Sequence, residues 1–122
     1  MESITPVRFA DIQAILNRIT AGRSKEGMRA AHSSPGFGWD TLDQLKAVVV
    51  RPDGEFGKAY TLIDMDLVHQ GRGAETNLVQ ALANPGGVDS YGRMPYNAPP
   101  AQYATPAELQ QIIDWLNAGL PE

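Results

Sequence analysis

"MPYNAPPAQYATPAELQQIIDWLNAGLP", Met94 to Pro121, holds both the clearest helix of the chain and its oddest loop. The second half is marked as helix at each end. Thr105 with Glu108 three residues on makes a capping box, and Pro106 falls at the first helical position. Leu109, Ile112, Ile113 and Leu116 then recur at helical spacing, Trp115 widens the stripe, and Gly119 with Pro121 stops it. The spacing predicts a helix over 106–118 with one apolar face. The first half is a stiff loop. Pro95, Pro99 and Pro100 restrict its backbone, so ordering it costs little entropy. It presents the soft thioether of Met94 where a packed core would not ordinarily place one.

A second helix is legible at the other end of the chain. "TPVRFADIQAILNRIT", Thr5 to Thr20, opens with Thr5 as N-cap and Pro6 at the first helical position. Phe9, Ile12, Leu16 and Ile19 form its apolar face, which predicts a helix over 6–19. Two one-faced helices need partners, and the expected arrangement packs them against each other at a steep angle, Phe9 and Ile12 against Ile112 and Leu116. Between them, "TLDQLKAVVV" starts as a short helix after Thr41, and "AETNLVQALAN" reads as another, ended by Pro85-Gly86-Gly87. "AVVVRPDGEFGKAYTLIDM" carries β-branched residues around a Pro52-Asp53-Gly54 turn, which fits a small two-stranded hairpin. The expected architecture is mostly α, one domain over 1–122, with long Gly- and Pro-rich loops.

Composition narrows the function classes. With 122 residues the chain can build one real core and not two. A net charge of -4 argues against a nucleic-acid groove, which needs clustered Lys and Arg. No apolar run approaches the roughly 20 residues of a membrane span. There are no cysteines, so disulfides, thiolate metal sites and cysteine nucleophiles are excluded. Phosphate-binding Gly loops, nucleophile elbows and zinc-spaced His pairs are absent too, so no motif argues for catalysis.

The order of amphipathic first helix, irregular middle, Met-Pro loop and amphipathic last helix resembles the class I cytochrome c fold, over roughly half the chain. "FADIQAILNR" is similar to that family's opening helix. "GRGAETNLVQALAN" is similar to the segment before its axial methionine, and the Met94-to-Gly119 stretch to its closing segment. The resemblance implies that Met94 is the distal ligand of heme iron. A thioether is a weak axial ligand that raises the reduction potential, which suits electron transfer. The chain departs from the family where C-x-x-C-H should follow the first helix, since "TAGRS", Thr20 to Ser24, has neither Cys nor His. Eight residues on, "MRAAH" places Met28 and Ala31 where the cysteines would stand, ahead of His32. Covalent heme c is therefore excluded by composition, and heme held without covalent bonds takes His32 as proximal ligand.

Two readings stand at this point. In the first, the protein is an electron carrier with non-covalent heme, its iron ligated by His32 and Met94, with Trp39, Arg93 and Tyr96 lining the porphyrin site. A redox partner protein and a periplasmic setting come with the resemblance; "MESITPVRF" lacks the build of a signal peptide, which leaves a cytoplasmic setting open. In the second, apolar residues from "EGMRAAH" and "FGKAYTLIDMDLVHQ" refill the heme space. The chain is then a heme-free form of the fold, a ligand-binding domain or a small lyase or isomerase with His32 as base. His32, Trp39, Asp40, Arg93 and Tyr96 form its polar set. Arg23, Arg29, Arg72 and Arg93 are candidate partners for propionates or another anion. His69 reads as a surface residue. Asp64 and Asp66, one residue apart, share a face if they lie on a strand, although a solvated loop is the plainer reading.

Overall fold

The computed structural model describes residues 7–32, 34, 36–50, 59–85, 87–88, 93–95 and 98–122. Helix α6, Pro106–Asn117, organises the rest. Thr105 caps it, the Thr105 hydroxyl accepting from the Glu108 N–H at 3.1 Å and the Glu108 carboxylate from the Thr105 N–H at 2.9 Å. Gly119 ends it at φ +91, a conformation that favours glycine. Ile112, Trp115 and Leu116 are completely buried.

Helix α1, Phe9–Ile19, runs antiparallel in sense to α6, its start against the end of its partner. Phe9 stacks on Trp115 with ring centroids 6.2 Å apart. The Pro121 carbonyl accepts from both the Phe9 N–H at 2.9 Å and the Trp115 indole N–H at 2.8 Å. At the other end Arg18 holds Glu108 (Nε to Oε2 2.8 Å) and donates to the carbonyls of Ala101 and Tyr103. The expected start at Pro6 is corrected: Val7 and Arg8 are not helical, and Arg8 occupies the N-cap position. Thr5 and Pro6 lie outside the described residues. The start is displaced because the Asp11 carboxylate accepts from the Arg8 N–H, while the distant Pro121 carbonyl takes the Phe9 N–H.

Helices α2 (Lys25–Ala31), α3 (Leu42–Ala47), α4 (Met65–His69) and α5 (Asn77–Ala83) fill the middle. Ser24, Thr41, Asp64 and Thr76 cap them through side-chain oxygens. Strands β1 (Val49–Val50) and β2 (Tyr60–Thr61) pair antiparallel, Val49 opposite Thr61 and Val50 opposite Tyr60. The turn expected at Pro52-Asp53-Gly54 lies outside the described residues. Asp64 and Asp66 are not on a strand: Asp64 caps α4, its carboxylate accepting from the Asp66 N–H at 2.9 Å. The protein is thus mostly helical with one small two-stranded sheet, and among the described residues no helix is long and apolar enough to cross a membrane.

Two consequences of this packing are measurable. Gly73, in the short 3-10 turn Gly73–Glu75, lies against α6 and donates its N–H to the Asn117 side chain at 2.7 Å. A β-carbon there would stand 2.7 Å from Leu116 Cβ and 2.8 Å from Asn117 Oδ1. Gly73→Ala should cost about 1–3 kcal/mol through forced repacking, read by urea denaturation; an unchanged midpoint would mean that the contact yields freely.

The second concerns Glu108. The Arg18 hydrogen bond holds its carboxyl below the usual glutamate range, helped by the Thr105 N–H and Arg18's charge, with burial opposing. A depressed carboxyl stabilises the folded state above its unfolded pKa, and that contribution fades as the pH falls through the folded value. Glu108→Gln keeps a capping side chain but removes the charge. It should flatten the fall of melting temperature below about pH 4.5; a variant with the wild-type acid limb would show that other carboxylates set it.

Candidate functional site

A cavity of about 590 Å³ opens between the α1/α6 core and α2. Its deep surface is apolar and fully packed behind, formed by Leu16 and Ile19 of α1 and Leu45 of α3, all buried. Leu78, Ala81 and Leu82 of α5 give a second wall, continued by Met94 and Pro95. The Met94 N–H donates to the Ala81 carbonyl at 2.7 Å, which ties this loop to α5. Tyr60 and Leu62 come from β2 and its continuation, and Trp39 from the loop before α3. The rim is exposed at Arg23, Ser24 and Gly27.

Helix α2 has an unusual relation to this space. Ser24, Gly27, Met28, Ala31 and His32 all line the cavity, the i, i+3, i+4 spacing of one helical face. No residue of α2 is buried. A seven-residue helix is marginal by itself and ordinarily depends on packing for its stability. On this face Met28 packs partly against the core and His32 stacks on Phe37, and the rest borders the cavity.

His32 is half-buried at the C-terminal end of α2. Its Nδ1 lies 2.7 Å from the Met28 carbonyl oxygen, and its ring stacks on Phe37 at 4.1 Å and 6°. A carbonyl can only accept, so Nδ1 carries the proton, and in the neutral ring the lone pair is on Nε2. An Nδ1–H held by a carbonyl is the usual support of a metal-ligating imidazole. Met94, the other expected ligand, lines the same cavity and is half-buried. The Met94–Pro95 peptide bond is cis. The apolar walls thus carry one imidazole, His32, and two thioethers, Met28 and Met94, residue types that a His/Met heme site uses.

The remaining expected site residues are distributed differently. Trp39 lines the cavity, its indole N–H donating to Asn17 Oδ1 at 2.9 Å. Arg93 is not among the lining residues. Its guanidinium donates to the Leu82 carbonyl at 2.9 Å and lies 4.4 Å over the Tyr103 ring, so it braces α5 against the loop before α6. Tyr96 lies outside the described residues. His69 is exposed at the end of α4, and Arg72 pairs with Glu75. Among the described residues no group of three or more His, Cys, Asp and Glu is placed to hold a metal ion. Sequence reasoning missed Phe37, the platform under His32. Its only signal was an aromatic between two glycines in "PGFGWD", two residues before Trp39.

The fold and cavity together define a mostly helical protein with an apolar cavity whose walls carry one histidine, His32, and two half-buried methionines, Met28 and Met94. No protein-family model matches the chain, and neither a curated protein nor a solved structure matches it.

Proposed function

We propose that the protein is a cytochrome c-like electron carrier that holds heme non-covalently, with His32 and Met94 as axial ligands. The observation that carries this reading is that both residues line one apolar cavity of about 590 Å³, inside the roughly 300–1,000 Å³ range of pockets for organic ligands. Met28 and Ala31, at the spacing of the missing cysteines, line it on the same face of α2 as His32.

Heme would supply one-electron chemistry, and the thioether together with the apolar walls would raise its potential. The chain's own part is positioning. The Met28 carbonyl and the Phe37 ring orient His32, and the Ala81 carbonyl anchors Met94. A redox partner protein and a periplasmic setting belong to the same reading. The lyase or isomerase reading has less support, because of its polar set only His32 and Trp39 line the cavity among the described residues. Met28, Tyr60 and Leu62 line the space without filling it.

Hemin titrated into the purified protein should give a saturable, sharp Soret band with low-spin visible bands at one equivalent. A broad spectrum like that of hemin on an unrelated protein would remove the electron-carrier reading.

A further inference from the structure

We propose that a small cationic cleft beside the cavity binds the two carboxylates of the porphyrin, so that heme lies with its propionate edge at the α1–α2 turn. This deepens the heme reading and rests on it. The cleft measures about 110 Å³ and shares Thr20, Arg23, Met28, Phe37 and Trp39 with the larger cavity, so the two spaces adjoin. Its own additions are Gly38 and the polar Asn17, Lys25, Arg29 and Asp40.

The charges there balance a heme. Arg23, Lys25 and Arg29 against Asp40 leave two net positive charges in the cleft lining, from three cations and one carboxylate. Asp40 stays ionised, its carboxyl held below the usual range by the hydrogen bond and charge of Lys25 and, more weakly, by Arg29. Heme b carries two carboxylates side by side on one edge of an otherwise apolar disc. Apart from Arg23 and His32, the larger cavity is lined by uncharged side chains, mostly apolar. A propionate turned toward the α5 wall would lose its hydration without a partner. Turned toward the cleft, it meets donors able to make charge-assisted hydrogen bonds. Lys25 already contacts Asp40 at 2.8 Å, and both side chains are more than half exposed, so this pair can open to admit an anion.

The test compares hemin with its dimethyl ester, in which both carboxylates are masked, on the wild type and on an Arg23→Gln/Lys25→Gln double variant. Arg29 is left intact because it also donates to the Phe37 carbonyl behind the His32 ring. The wild type should bind hemin roughly tenfold or more tightly than the diester. The double variant should lose that preference while binding the diester as well as the wild type does, which also shows that its cavity is intact. Arg23→Lys should restore part of the preference. A wild type that binds both porphyrins equally, or a double variant that keeps the preference, overturns the cleft assignment and leaves the heme reading standing. Failure of the wild type to bind either porphyrin overturns both.

Discussion

On the heme proposal, His32→Ala should abolish the sharp, low-spin spectrum expected of the wild-type protein with hemin and weaken hemin binding by more than about 100-fold, beyond the 10–100-fold that loss of a ligand's hydrogen-bond partner costs. The effect is large because no second imidazole can replace it: the other histidine, His69, is exposed on α4 and does not line the cavity. Met94→Ala behaves differently. It would remove the weaker of the two proposed ligands while the chamber and His32 remain, so heme should stay bound, turn high-spin and fall in potential. Optical titration and redox titration of the two variants separate the roles. Loss of both spectra to the same degree would indicate collapse of the cavity rather than ligation, and circular dichroism of each variant decides that. Wild-type spectra from His32→Ala would end the assignment of His32.

Trp115→Ala should lower stability by about 3–5 kcal/mol, the range for removing a large buried aromatic. Trp115 has no exposed surface, stacks on Phe9 and donates its indole N–H to the Pro121 carbonyl. That carbonyl also receives the Phe9 N–H, so the truncation loosens the closure of α1 on α6 at the same point. Trp115→Phe should recover most of the packing and leave the hydrogen bond as the difference, about 0.5–1.5 kcal/mol. Urea unfolding followed by far-UV circular dichroism measures both. A loss under 1 kcal/mol for Trp115→Ala would mean that the terminal-helix contact is not the centre of the fold. Because α1 also supplies Leu16 and Ile19 to the cavity, the Ala variant should weaken hemin binding as well.

The outlines of this protein were legible where the determining interactions are short in sequence. Thr105, Pro106 and Glu108 mark the start of α6 within four residues, and Gly119 marks its end; the start after Thr41 and the stripe of α1 are equally local. The absence of cysteine excludes a covalent heme outright, whatever the fold. What depended on partners far along the chain was decided only by the tertiary structure. The α1 helix begins at Phe9 and not Pro6 because the Pro121 carbonyl, over a hundred residues away, takes the Phe9 N–H. Asp64 became a helix cap although its spacing to Asp66 also fits a strand, because period-two carboxylates carry no information about which element they join. Arg93 braces two carbonyls and a tyrosine ring outside the cavity, since a guanidinium goes to whichever acceptors the fold brings near. That Met28, Ala31, His32 and Met94 share one cavity is of the same kind: the family resemblance named His32 and Met94 as candidate ligands, but a shared space between them is a property of how α1, α2 and α5 pack.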